Sequence, residues 1–243
     1  MSKQFAAFDI DGTLFRSGLY REVVKELVAI GALNEQTTKA YSDQEALWQK
    51  RMHSNAFNEF EQAMAISLDK NLSRLRIADF EQAVSSVLRQ QKDNVYVYTR
   101  ELVKRLKSRG HTLIAITGSQ IEIAKPFADY YGFDVCVGQV YERGDEYFTG
   151  TVLQKTHTGK EKFLEHVIKE HGLTLKNSYA VGDSKGDIGM LKMVDHPIVF
   201  NPEKELYEEA QKHGWKMVLE RKNMVYEMEA DSSGYVLAQT NAV

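Results

Sequence analysis

The sequence predicts an α/β fold: a doubly wound parallel sheet with a helical bundle inserted after its first strand. Three observations carry this prediction. From residue 95 onward, short apolar runs of strand length alternate with stretches of helical periodicity. Three apolar runs stop on reactive polar residues, at Asp9 and Asp11, at Thr117 and at Asp183, as strands do where they feed one edge of an open sheet. Between the first run and the rest, roughly residues 15–94 show helical spacing only.

The first strand is Phe5-Ala6-Ala7-Phe8, whose length and composition suit a buried position. Asp9, Asp11, Gly12 and Thr13 follow at its mouth. Residues two apart on an extended chain face the same side, so the two carboxylates share one space. Like charges this close need a cation between them or a proton on one.

The inserted segment opens with a helical face of Val23, Val24, Leu27 and Val28, stopped by Gly31. A second face begins at Leu47, Trp48, Arg51 and Met52 and continues in Phe57, Phe60, Met64 and Leu68. Asp79 to Gln82 resembles a capping box ahead of Phe80, Val84, Val87 and Leu88. The expected boundaries are 15–94 for the helical domain and 1–14 with 95–243 for the α/β core.

In the core, Leu102, Val103 and Leu106 mark a helix ended by Gly110. Leu113 to Ile116 is a strand ending on Thr117-Gly118-Ser119, with a helix over 121–131 and a strand over 135–137. Tyr141 to Val152, around Arg143-Gly144-Asp145, suits a hairpin. Phe163, Leu164, Val167 and Ile168 give a helix ended by Gly172. Tyr179 to Val181 is a strand ending on Gly182-Asp183, and Pro197 to Phe200 is another. Residues 224–243 read equally as a terminal hairpin around Asp231-Ser232-Ser233-Gly234 or as a tail.

Composition narrows the classes of partner. The chain has 243 residues, 43% of them hydrophobic, enough for a sizeable core. A net charge of -3 and a pI near 6.2 give no basic field for nucleic acid. Cys136 is the single cysteine, which rules out an internal disulfide and a cysteine-based zinc site, and a buried, inert thiol is expected. No apolar run reaches the ~20 residues of a membrane span, and acid arrives at Asp9, too early for a signal peptide. The expectation is a cytoplasmic protein without a membrane or nucleic-acid partner.

The strand-end residues suit phosphoryl chemistry. Asp9 can act as a nucleophile through its carboxylate, and Asp11 can protonate a leaving alcohol and later deprotonate water. Asp183 with Asp9 offers the hard oxygens that Mg²⁺ prefers. Asp187, one helical turn further on, could hold a metal-bound water or orient a lysine. Thr117 and the N–H groups of Gly118 and Ser119, placed at a helix start, can receive an anion. Phosphoryl transfer is mainly positioning and charge neutralisation, so one further cation completes the set. Lys160 is the candidate, in a first helical turn where a cation opposes the dipole, and Lys162 is its rival.

Asp9-Ile10-Asp11-Gly12-Thr13, Thr117, Lys160 and Gly182-Asp183 with Asp187 resemble, in order and spacing, the motifs of the haloacid dehalogenase superfamily of phosphohydrolases. The likeness is greatest to its phosphoserine-phosphatase-like branch, whose Lys-to-Asp spacing favours Lys160 over Lys162. Phe200-Asn201-Pro202, Leu206 and Gly214-Trp215 are similar to the same branch. The resemblance implies a Rossmann-like core with a helical cap, and an Asp9 aspartyl-phosphate intermediate. It also implies Asp11 as acid and then base, and Mg²⁺ held by Asp9, the Asp11 backbone carbonyl and Asp183. Dehalogenases of the superfamily lack the second acid, so Asp11 points to a small phosphorylated substrate.

Two departures bear on that substrate. Phosphoserine phosphatases carry a glutamate for the substrate amine where Gly18 stands, and their carboxylate-binding arginine falls near Ser67, so phosphoserine is disfavoured. Arg16, Tyr20, Arg21, Trp48 and Arg51 are the residues left to recognise something else. A phosphotransferase or mutase using the same intermediate, and a receiver-type phospho-acceptor module, are the alternatives. A nucleotide P-loop at Gly159-Lys160 fails, because Gln154 and Glu161 stand where glycine and Ser/Thr are needed. The seven histidines are scattered, with His157 marginal for the pocket rim.

Overall fold

The structure, a computed structural model, describes residues 3–232 and 234–243. The chain divides into two compact units. One comprises the residues up to Gly18, Lys92–Gln139 and Lys155–Val243; the other comprises Leu19–Gln91 and Val140–Gln154. These limits differ from the expected 15–94 insert in two ways. Residues 15–18, Arg16 included, and 92–94 at the two ends of that insert fall with the α/β unit, and the hairpin after residue 139 falls with the helices.

The α/β unit is built on β1 (Phe5–Phe8), β2 (Thr112–Gln120), the first half of β3 (Val135–Arg143), β5 (Tyr179–Gly182), β6 (His196–Phe200), β7 (Lys216–Arg221), β8 (Met224–Asp231) and β9 (Gly234–Ala242). Their order across the sheet is β3-β2-β1-β5-β6-β7-β8-β9. Pairing is parallel from β3 to β7 and antiparallel from β7 to β9. Strand β1 lies between β2 and β5, with Ala6 opposite Leu113 on one side and Tyr179 on the other. The chain therefore winds away from β1 in both directions, and a cleft is expected beyond the carboxyl ends of β1, β2 and β5.

All four side chains of β1 are fully buried, which explains why both its faces are apolar. On one face Phe5 and Ala7 join Ile114, Ile116, Leu164 and Val199 in the principal core cluster. Phe8 meets Phe133 edge-on at 5.7 Å. Helices α5 (Val97–Ser108), α6 (Ile121–Tyr130), α7 (Lys160–His171), α8 (Ile188–Leu191) and α9 (Lys204–His213) connect the strands. Strand β7 and helix α9 are elements the sequence reading does not resolve. The C-terminal segment is a hairpin, β8 with β9, rather than a tail. Ser233, in the turn named for it, lies outside the described residues.

The helical unit contains α1 (Leu19–Ala29), α2 (Glu35–Gln49), α3 (Ala56–Asn71) and α4 (Ile77–Gln91), with a hairpin of β4 (Phe148–Gln154) against the second half of β3. Its core includes Val23, Leu27, Phe60, Leu68, Phe80 and Phe148, and Trp48 stacks on Phe60 at 5.0 Å. The face running from Leu47 to Leu68 is not one helix. The chain turns out of α2 at Arg51, whose φ is 51°, and restarts at Ala56. Helix α4 begins at Ile77, so no capping box operates at Asp79. Among the described residues no helix is long and apolar enough to cross a membrane.

Candidate active site

Every strand-end residue singled out from the sequence lies in the α/β unit. Asp9 follows β1 directly, and its backbone N–H donates to Val181 O of β5 at 2.9 Å. That bond ties the ends of β1 and β5 and places Asp9 beside Asp183. Gly12 turns the chain over Asp183 with φ of +83°, and a Cβ there would lie 2.2 Å from Asp183 Oδ2. Only glycine permits that approach. Thr13 Oγ1 donates to Asp183 Oδ1 at 3.2 Å.

Lys160, the first residue of α7, is 4% exposed and points inward. Its Nζ lies 2.5 Å from Asp9 Oδ1 and 2.7 Å from Asp187 Oδ1. Lys162 is exposed, which separates the rivals. The other oxygen of Asp187 accepts three bonds, from Asp183 N at 3.1 Å, Ser184 N at 3.0 Å and Ser184 Oγ at 3.1 Å. Asp187 thus holds the Asp183 turn with one oxygen and Lys160 with the other. Gly182 is required here as well, since a Cβ would meet Asp187 Cβ at 2.4 Å.

The second acid turns elsewhere. Asp11 Oδ2 accepts from Thr117 Oγ1 at 2.6 Å and from Ser119 Oγ at 2.8 Å. Thr117 is fully buried, and Thr156 Oγ1 donates to its carbonyl at 2.5 Å. Contrary to the expectation from the sequence, Gly118 and Ser119 lie in the last part of β2 and not in the first turn of a helix. Strand β2 continues to Gln120, its pairing with β3 is irregular between Ile116 and Gln120, and α6 begins at Ile121. The N–H of Ser119 donates to Thr117 Oγ1 at 3.0 Å, so it is already satisfied within the loop. Exposed His157 borders this loop: a Cβ on Gly118 would sit 3.5 Å from its Cβ.

Oxygens of Asp9, Asp183 and Asp187 lie within 4.8 Å of one another. Burial raises the Asp9 pKa to about 7; Lys160 opposes this shift, while Asp187 and Asp11 add to it. Asp183 is raised well above the usual carboxylate range, first by burial and then by Asp9 and Asp187. For Lys160, burial works against the charge, but Asp187 and Asp9 more than offset it, so the ammonium is held. One cation thus faces three carboxylates, and the site is short of positive charge. An all-oxygen donor set with that deficit fits Mg²⁺.

Around the cluster, Arg16 is exposed and lies over the Tyr96 ring, 5.3 Å from its centroid. Glu203 N donates to Asp183 O at 2.9 Å, while its Oε1 accepts from Lys185 N at 2.6 Å. Sequence reasoning misses Glu203 and Thr156, because their roles depend on contacts between distant strand ends. Of the other recognition candidates, Arg21 pairs with Glu61 at 2.7 Å and lies over Phe57 within the helical unit. Tyr20 is held there with its pKa raised well above the usual value, by burial and by Tyr141 and Asp69. Buried Ser67 donates to Thr37 O at 2.9 Å, also within that unit. Cys136 is partly buried, which pushes its thiol up to about 12.

The chain is similar in sequence and fold to known proteins. The chain is 26% identical over 229 residues to a histidinol-phosphatase of Neisseria meningitidis, covering 89% of this chain and 98% of that one. It is 31% identical over 127 residues to a phosphoserine phosphatase of Mycobacterium tuberculosis. That match spans 51% of this chain and 41% of the relative's length. A solved structure of a Bordetella pertussis protein of unknown function shares the fold with a TM-score of 0.72 at 21% identity, covering 89% of this chain and 98% of that one. The model of the haloacid dehalogenase-like hydrolases matches residues 6–192, most of the chain, and the protein belongs to that family.

Proposed function

We propose that the protein is a Mg²⁺-dependent phosphomonoesterase that hydrolyses a small phosphorylated metabolite through an aspartyl phosphate on Asp9. The observation that carries this reading is the convergence of Asp9, Asp183 and Asp187 on one another, with the buried ammonium of Lys160 bonded to Asp9 and Asp187.

Lys160 holds Asp9 Oδ1, which leaves the other oxygen to attack phosphorus. As the new P–O bond forms, the ester P–O bond breaks, and the departing alkoxide takes a proton from Asp11. In the second half Asp11 removes a proton from water, whose oxygen displaces Asp9 from phosphorus and releases inorganic phosphate. To do this, Asp11 exchanges the hydroxyls of Thr117 and Ser119 for the ester oxygen, freeing Thr117 Oγ1 for a phosphoryl oxygen. Asp9, Asp183 and the Asp11 backbone carbonyl would hold Mg²⁺, which supplies charge neutralisation at the phosphoryl group. Asp187, with both oxygens engaged, positions Lys160 and the Asp183 turn.

The substrate we favour is a phosphate monoester without a carboxylate, and with Gly18 in the place of the amine-binding glutamate, any amine it carries is not held at that position. Ser67 stands near the place of the carboxylate-binding arginine and is satisfied internally, and the Neisseria relative is called a histidinol-phosphatase. Histidinol phosphate is such a compound. The helical unit is assigned the selection of substrate. The test is a phosphate-release screen with L-histidinol phosphate, L-phosphoserine and p-nitrophenyl phosphate, with and without Mg²⁺. Metal-dependent release that is abolished by Asp9→Asn and greatest for histidinol phosphate is expected. Equal activity in the Asp9→Asn protein rejects the nucleophile, and a preference for phosphoserine rejects the substrate assignment.

A further inference from the structure

A second concave site lies in the α/β unit, at the other end of the same strands. A cavity of about 720 Å³ opens between α5 and the amino ends of β5, β6 and β7, and the first residue of each strand, Tyr179, His196 and Lys216, lines it. Asp183 leaves the carboxyl end of β5, about 13 Å away along four residues of extended chain. The cavity is therefore separate from the phosphoryl chemistry. It is also where Gly214-Trp215 lies, a pair that the catalytic reading does not use.

Its floor is apolar, from the buried side chains of Leu102, Leu106 and Ile198. Flat rings stand against that floor in stacked pairs. Tyr179 and His196 have centroids 4.6 Å apart, and Trp215 and His213 have centroids 5.1 Å apart with planes only 16° from parallel. Trp215 is 8% exposed, so its ring is fixed by packing.

The charge on the walls has one dominant sign. Arg105, in the last turn of α5, and Arg109, its C-cap, line the cavity with Lys216. The lining contains one carboxylate, Asp195, whose Oδ2 already accepts from Asn177 N at 2.7 Å. Lys216 is paired with Glu227. Neither arginine has a carboxylate partner among the described residues. Like charges four residues apart at a helix end repel, and an anion between them relieves that repulsion. Guanidinium groups also bind phosphate or carboxylate in bidentate fashion.

We propose that this cavity is a second binding site, for a nucleotide-sized organic anion. Its planar ring would lie against the Trp215 and Tyr179 pairs, and its anionic group between Arg105 and Arg109. The volume falls in the range of small-molecule pockets, and an apolar floor with a few convergent polar groups is their usual construction.

Trp215 supplies the readout. The chain has two tryptophans, so Trp48→Phe leaves Trp215 as the sole indole. In that protein, adenosine monophosphate is expected to change Trp215 fluorescence saturably, with adenosine or inorganic phosphate alone binding about tenfold more weakly or worse. The same titration in an added Asp9→Asn background should be unchanged. Arg105→Gln with Arg109→Gln, both exposed positions whose folding is checked by circular dichroism, should weaken binding at least about tenfold. Several outcomes overturn the proposal: no saturable change at millimolar nucleotide, equal affinity in the double arginine variant, equal binding of inorganic phosphate alone, or a signal lost with Asp9→Asn.

Discussion

Lys160 Nζ sits 2.5 Å from Asp9 Oδ1 with both side chains almost fully buried, so a charge pair lies at the point where the first strand leaves the sheet. Two charges out of water are costly, and removing one leaves the other uncompensated. Here the loss of Lys160 would strand Asp9, Asp183 and Asp187 together. Lys160→Met, which keeps the length of the side chain, should destabilise the metal-free protein by about 3–5 kcal/mol at neutral pH. It should also reduce phosphate release by about a hundredfold or more. Lys162→Ala, at an exposed position, should stay within about 0.5 kcal/mol and keep activity. Denaturant unfolding in EDTA, paired with phosphate-release kinetics, checks both. A neutral Lys160→Met would remove the lysine from the site.

Gly12→Ala tests the turn. Its φ of +83° disfavours any Cβ, and the added atom would lie 2.2 Å from Asp183 Oδ2. The left-handed backbone alone costs about 1–2 kcal/mol, and the clash displaces a proposed metal ligand. The expected result is a lower melting temperature together with weaker Mg²⁺ affinity by calorimetry. A variant with unchanged Mg²⁺ affinity would show that Asp183 is not held by this turn.

The parts legible in the sequence were those in which one strand end carries its own signal. Asp9, Thr117 and Asp183 each follow an apolar run, so sheet physics alone brings them to one edge. Lys160 was legible through its place in the first turn of α7, where a cation opposes the helix dipole, and only the family's spacing favoured it over Lys162. What stayed hidden depends on partners far away in the chain. Strand β7 has three apolar residues between charged ends, and its place in the sheet comes from β6 and β8. The break at Arg51 escaped because hydrophobic spacing carries across it from α2 to α3. The N–H of Ser119, expected to receive an anion, is bonded to the hydroxyl of Thr117 two residues back, a contact that strand spacing does not show.

Glu220 is one of the hidden residues. It is 7% exposed on β7, yet its Oε1 accepts from Val97 N at 3.2 Å and its Oε2 from Tyr98 N at 2.9 Å. The N-terminal residues of a helix have unsatisfied N–H groups, and here a carboxylate from a distant strand caps α5 in place of a local side chain. Glu220→Ala should cost about 1–2 kcal/mol, a fall in melting temperature of roughly 3–6 °C. Glu220→Gln, which keeps one acceptor, should lose less. Equal losses in the two variants would show that packing, rather than the cap, sets the cost.

The acidic cluster makes stability depend on pH and metal together. Burial raises Asp9 to about 7, above its ordinary value near 3.8, and Asp183 is raised as well. A carboxyl whose pKa is higher in the folded state binds its proton more tightly there than in the unfolded chain. Between about pH 4 and 7 the folded protein therefore holds more protons, and its stability falls as pH rises through that window. For Asp9 alone the integrated loss is of the order of a few kcal/mol. In EDTA the melting temperature should decline from pH 4.5 to 7 more steeply than in Asp183→Asn, which lacks one of the crowded charges. Added Mg²⁺ should restore stability chiefly at the upper end of the window, where the ligands are ionised, and should have little effect on the variant. Above pH 7 Asp9 is ionised in both states, so its contribution flattens. Stability that rises with pH over 4.5–7 in EDTA, or a Mg²⁺ effect that survives Asp183→Asn undiminished, would mean that the cluster is not the metal site and that its charges are relieved in some other way.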